Sequence, residues 1–193
     1  IEGRKNFPDC TFKKKTIWMH CASLGEFEQG RPVIERLKKE WPNYPVVISF
    51  FSPSGFEVRK NYSIADKVIY LPSDTPTNAK KLIDQINPAL VIWVKYEYWM
   101  NCLLEVKKRK IPILLIAGIF RNKQPFFKWY GGFFRNILTS FVQIFVQDEA
   151  SKEIQRWVSQ RINCFHKQQD KSCWLPGTGK HLHIIKDQST QKG

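Results

Sequence analysis

Several features are scarce or missing in this 193-residue chain. No apolar run reaches the roughly 18–20 residues that cross a bilayer as a helix, which excludes an ordinary membrane-spanning helix within it. Cysteines number five (Cys10, Cys21, Cys102, Cys164 and Cys173), an odd count without C-x-x-C spacing. That argues against a zinc site or a disulfide framework, and for a reduced, cytosolic setting. No G-x-G-x-x-G follows the first apolar run, so the dinucleotide fingerprint is missing. No H-x-x-x-H or carboxylate cluster suggests a metal, and none is expected. Acidic residues are the scarcer charged kind: 17 Asp and Glu stand against 31 Lys and Arg, a formal net charge of +14. That balance attracts polyanions, whether nucleic acid, an anionic membrane surface or a phosphorylated substrate. Each basic cluster (Lys13-Lys14-Lys15, Lys38-Lys39, Lys80-Lys81, Lys107-Lys108-Arg109-Lys110) reads equally well as a solvated helix end or loop. The total is harder to dismiss.

What is present is alternation. With 42% hydrophobic residues the chain can build one ordinary core. Short apolar runs rich in Val and Ile at 16–22, 45–51, 67–71, 89–94, 112–117 and 142–146 read as strands covered on both faces. Amphipathic segments near 26–41, 55–62, 76–86, 98–109, 125–138 and 149–159 read as helices between and after them. Such alternation predicts an α/β domain, a doubly wound parallel sheet with right-handed crossovers. Ligands then bind beyond the carboxyl ends of the strands, where Glu26, the Ser52–Gly55 turn, the Pro72–Asp74 segment and Glu97 all fall. Beyond about residue 160 the pattern stops, and residues 161–193 read as a poorly folded tail or one foreign to the domain. The tail's PGTGK lacks the Ser or Thr of a phosphate loop and has no strand before it.

The stretch HCASLGEFEQGRP, residues 20–32, places a carboxylate where the first strand turns into a helix. One reading makes Ser23 the N-cap and Glu26 the partner in an S-x-x-E capping box, favoured by the helix dipole. Another makes Glu26 a general base facing the cleft, with Gly25 leaving room for a substrate. Glu97, after the strand LVIWVK, is either salt-bridged to Lys95 or a nearby Arg, or a second group for acid–base work on a hydroxyl. SPSG at 52–55 opens a helix whose amides could meet anionic oxygens, a weak signal on its own. His20 reads as a satisfied core histidine. RNKQPFFKWYGGFFRN at 121–136 interleaves aromatics with cations, suiting an amphipathic core helix, a lipid interface or stacked RNA.

Taken together these segments resemble a known family. TIWMHCASLGEFEQGRPVIERLKKEWP resembles the W-x-H-x-A-S-x-G-E strand and helix of the 3-deoxy-D-manno-octulosonic acid (Kdo) transferases of lipopolysaccharide synthesis. SPSG is similar to the family's T-P-T-G, YLPSD to its Y-x-P-x-D, and KYEYWMN to its E-T-E-x-W-P-N. The likeness covers about residues 1–150. It departs from the family where Lys95 and Tyr96 stand for Glu and Thr, Met100 for Pro, and IAGIFRN for an N-A-R-x-S-like segment.

The resemblance implies the GT-B architecture, two Rossmann-like domains around a cleft. Residues 1–160 would be the acceptor-binding N-terminal half, and the donor-binding C-terminal half would be missing. The first residue is Ile, so a preceding anchor segment is expected to be missing too. Glu26 would be the general base and Glu97 the second important carboxylate. Ser23, Gly25, Arg31, Ser54, Gly55, Asp74 and Arg121 are expected to bind the acceptor, and Phe126, Phe127, Lys128 and Trp129 to contact the membrane. No cofactor is implied, and the donor substrate would be CMP-Kdo. The expected partners are a lipid A precursor and the anionic cytoplasmic face of a bacterial inner membrane, with no nucleic acid. This stretch alone is expected to be inactive. The alternative is a non-enzymatic basic module that binds RNA or anionic lipid. The tail departs where the family has V-S-x-x-G-x-T-R-F-D. Codons TGT TTC CAT AAG would spell Cys164 to Lys167 and contain Val-Ser-Ile when read from the second base, so a reading-frame change near Arg161 is expected.

Overall fold

The computed structural model describes residues 7–95, 97, 99–118 and 137–146. The strands are β1 (Thr16–Cys21), β2 (Val46–Phe50), β3 (Lys67–Tyr70), β4 (Pro88–Val94), β5 (Ile113–Gly118) and β6 (Gln143–Val146). Four helices connect the first five: α1 (Leu24–Glu40), α2 (Pro53–Arg59), α3 (Pro76–Ile86) and α4 (Met100–Lys108). All six expected strands and the first four expected helices are found, with ends shifted by a few residues. The helix expected at 149–159, most of the one at 125–138 and the tail at 161–193 lie outside the described residues.

The strands form one sheet in the order β3-β2-β1-β4-β5-β6, every neighbouring pair parallel. Strands β1, β2 and β4 are buried along their whole length, which is why they read as unbroken apolar runs. Period-two geometry nevertheless sends alternate side chains to two separate cores. Ile17, Met19, Ile48 and Ile92 pack with Phe27, Ile34 and Leu37 of α1. Trp18, Val47, Val91 and Trp93 pack with Leu82 and Ile83 of α3 and Leu103 and Val106 of α4. Each large side chain so enclosed contributes roughly 1.5–3 kcal/mol through burial.

Local chemistry sets the helix ends that matter for the site. Ser23 has extended backbone and caps α1, its hydroxyl accepting from the Glu26 amide at 3.4 Å. Thr75 caps α3, accepting from the Asn78 amide at 3.2 Å, with Pro76 in the first turn. The chain leaves α3 through Asn87 in a left-handed conformation (φ 50°) and enters β4 at Pro88. The crossover from β3 to β4 carries it from one side of β1 to the other. Strands β1 and β4 therefore flank the point where the winding reverses, which is where sheets of this kind form a ligand-binding crevice at the carboxyl ends of the strands.

Candidate active site

Glu26 and Glu97 stand at that crevice, one just after β1 and the other just after β4. Glu26 is buried, keeping 7% of its surface exposed. Its Oε2 accepts from the Ala22 amide at 2.6 Å, one residue before the cap, so the box closes on the residue preceding Ser23 rather than on Ser23 itself. Its second oxygen has no hydrogen-bond partner among the described residues. The cap leaves one oxygen anchored and the other without a partner among the described residues. Beside it Gly25 is exposed, and a Cβ there would meet no atom within 4 Å, leaving open space for an incoming group.

The electrostatics favour proton transfer. Burial pushes the Glu26 carboxyl above its ordinary range and the charge of Glu97 pushes it further, while the Ala22 amide, the Lys95 ammonium and the Ser23 cap pull it down. Burial also raises Glu97. The salt bridge between Lys95 and Glu97 that the sequence allowed does not form. A carboxylate so raised is a better base toward a hydroxyl than one free in water.

The segment after β4 is tightly held. The Trp93 indole N–H donates to the Glu97 carbonyl at 2.7 Å, folding the turn back on the strand that precedes it. Lys95 adopts φ 63° and Ala117 φ 54°, each one residue beyond the paired Val94 and Ile116. The Lys95 amide still donates to the Ile116 carbonyl at 2.9 Å. Two side-chain-bearing residues in left-handed backbone cost about 1–2 kcal/mol each, strain of the kind that gathers at functional edges. Behind this turn, His20 lies 4.4 Å from Trp93 and 6.2 Å from Trp99, and Trp99 lies 4.5 Å from Phe51, ring centre to ring centre. Sequence reasoning passed over Trp93; its signal was an aromatic with one N–H at the end of a strand, four residues before an edge carboxylate.

His20 is fully buried, its Nδ1 2.9 Å from the Ser49 hydroxyl, and burial pushes it down to about 3. Trp18 can only donate, and does so to that same hydroxyl at 2.9 Å. The Ser49 hydroxyl keeps one more lone pair and its own proton for Nδ1, so it can meet either tautomer of His20. His20 is a core histidine, but not the satisfied one expected, since Nε2 has no partner among the described residues.

Other residues expected to bind the acceptor make contacts within the protein. Asp74 caps α4 from a distance: Oδ2 accepts from the Asn101 amide at 2.9 Å and Oδ1 from the Cys102 amide at 3.0 Å. Trp99, the residue at the cap position, offers no side-chain acceptor, so a carboxylate from the β3–α3 loop supplies it. Gly55 is buried where a Cβ would come within 2.6 Å of the Phe50 ring and 3.1 Å of the Leu24 nitrogen, so its smallness serves packing. Arg31 pairs with Glu28 at 3.0 Å and Glu35 at 3.7 Å on the outer face of α1. Ser54 is exposed and shares a 2.8 Å hydrogen bond with Ser52, whose amide ties the end of β2 to the Ala22 carbonyl at 2.7 Å. The structure thus brings Ser23, Gly25, Glu26 and Glu97 to the carboxyl ends of β1 and β4, while Asp74, Gly55 and Arg31 make the contacts within the protein just described. Arg121, Phe126, Phe127, Lys128 and Trp129 lie outside the described residues. Among the described residues no group of three or more His, Cys, Asp and Glu is placed to hold a metal.

The sheet order and the edge carboxylates define a Rossmann-like domain of the kind that builds the GT-B architecture. Solved structures of UDP-GlcNAc 2-epimerases share the fold. The enzyme from Neisseria meningitidis bound to UDP-GlcNAc superposes with TM-score 0.54 at 20% identity, covering 76% of this chain and 43% of that one. The Methanocaldococcus jannaschii enzyme gives 0.52 at 15% identity, covering 77% and 43%. Within that class, residues 2–164 match the 3-deoxy-D-manno-octulosonic-acid transferase (kdotransferase) family, and the chain belongs to it. Transferases of that name are similar at 32% identity in Aquifex aeolicus (57% of this chain, 31% of the relative) and 31% in Haemophilus influenzae (51% and 23%). The one from Rickettsia felis is 26% identical (80% and 34%). The matched stretches span about a quarter to a third of those relatives' lengths.

Proposed function

We propose that this chain forms the acceptor-binding half of a glycosyltransferase that moves Kdo from CMP-Kdo to a lipid A precursor. The observation that carries the reading is the placement of Glu26 and Glu97 just beyond the two strands flanking the winding switch, with open space at Gly25. Glu26 takes the proton of an acceptor sugar hydroxyl. The freed oxygen forms a bond to the anomeric carbon of Kdo as the bond to CMP breaks on the opposite face, inverting that centre. Glu97 keeps the basicity of Glu26 high through its nearby charge. The donor site belongs to sequence beyond these residues, so this stretch alone binds acceptor and transfers nothing. A net charge of +14 suits a phosphorylated lipid in an anionic monolayer, at the cytoplasmic face of the inner membrane.

The test compares full-length protein with its Glu26→Gln variant, measuring Kdo transfer from CMP-Kdo and binding to vesicles that carry a lipid A precursor. Loss of transfer with vesicle binding nearly intact is expected, and undiminished transfer by the variant would overturn the role of Glu26. The same charge favours one rival, a non-enzymatic basic module. That reading prevails if Glu26 is irrelevant and binding tracks the Lys and Arg clusters and falls steeply with salt.

A further inference from the structure

Lys95 occupies a position of its own at the crevice. It directly follows β4 and is only partly exposed; it lies two residues beyond Trp93, which pairs with His20 of β1, just as Ala22, whose amide holds the Glu26 carboxylate, lies two residues beyond His20. Its backbone is held left-handed at φ 63° between two anchors, its own amide on Ile116 and the Trp93 indole on the Glu97 carbonyl. An unbranched, non-glycine residue kept in that conformation points to its side chain being wanted where the turn sets it. Among the described residues Lys95 has no ion-pair partner within 4 Å. The described titratable groups that face Glu26 are Cys21 from β1, Glu97 from the segment after β4, and Lys95. The Cys21 thiol is pushed up by burial and by Glu26 itself, so it stays neutral. Glu97 repels a charge on Glu26. Lys95 is the cation of the set.

We propose that Lys95 is a positioning residue for Glu26, presenting its ammonium to the carboxylate pair so that Glu26 carries its negative charge when a hydroxyl arrives. Burial and Glu97 both favour the protonated, inactive form, and Lys95 opposes them. The inference rests on Glu26 acting as the base, but the test does not require transfer.

The experiment is a carbon-13 titration of the Glu26 carboxyl in this chain at low ionic strength, the resonance being assigned by its disappearance in Glu26→Gln. Lys95→Met is expected to raise the Glu26 midpoint, and Lys95→Arg to leave it near that of the unaltered chain. Lys95→Gly removes the ammonium while relieving the left-handed strain, so it folds at least as well and is also expected to raise the midpoint. An unchanged midpoint in either the Met or the Gly variant overturns the assignment, as does a rise in Lys95→Arg equal to that in Lys95→Met. A Glu26→Gln variant with full transfer would defeat the proposed reaction and leave these titrations as they are.

Discussion

The Ala22 amide donates to Glu26 Oε2 at 2.6 Å, so the strand that delivers the chain to the crevice also anchors the carboxylate standing in it. Burial and Glu97 raise the folded midpoint of Glu26 above its unfolded value. A group raised in this way binds protons more readily folded than unfolded, so stability falls as pH climbs from the unfolded value, about 4.3, through the folded one. Glu26→Gln keeps a carbonyl oxygen for the Ala22 amide and removes the buried charge. Thermal unfolding at pH 8 should therefore show the variant more stable, with the gap closing as pH falls below about 4. Transfer by the full-length variant should drop by about 10²–10⁴-fold, the range expected for loss of a general base.

Asp74 holds two amides of the first turn of α4. Asp74→Ala should lower stability by about 1–3 kcal/mol in urea unfolding and speed hydrogen exchange at the Asn101 and Cys102 amides. Asp74→Asn, which keeps one acceptor oxygen, should lose less. A fall in acceptor binding without loss of stability would show that Asp74 serves the acceptor rather than the helix.

Gly55 sits where the start of α2 presses on Phe50 and the Leu24 backbone. Gly55→Ala should cost about 1–3 kcal/mol through overpacking, read as a lower urea midpoint at unchanged slope.

His20 is pushed down to about 3 by burial, against an unfolded value near 6.5. A histidine lowered in this way contributes stability that is fully present above the unfolded value and is lost as pH falls from there toward 3. Its imidazole resonances should stay flat between pH 8 and 5, and stability should decline below about 6.5. His20→Gln should flatten that decline. An imidazole that titrates near 6.5 in the folded protein would contradict its enclosure.

Much of the fold was legible because it follows from local pattern. Unbroken Val- and Ile-rich runs mean strands covered on both faces, and the Ser23 cap with Glu26 marks the start of α1 whatever lies around it. Glu26 and Glu97 were legible as edge residues for the same reason. Lys95 is legible only as a candidate partner of Glu97 and a departure from the family pattern, because neither its backbone conformation nor its neighbours can be inferred from KYEYWMN. The hold of Asp74 on α4 was not legible, because a carboxylate after a strand looks alike whether it meets a ligand or another helix.

By itself the sequence determined the order of strands and helices, the excess of positive charge, and the presence of a carboxylate after β1 and another after β4, since each depends on residues adjacent in the chain. Only the tertiary structure decided that those two carboxylates meet at one edge of the sheet, that Asp74 reaches across to α4, and that Lys95 follows β4 in left-handed backbone at that same edge. The reason is the strand order β3-β2-β1-β4-β5-β6: it brings together segments some seventy residues apart, and no local periodicity encodes which strand lies next to which.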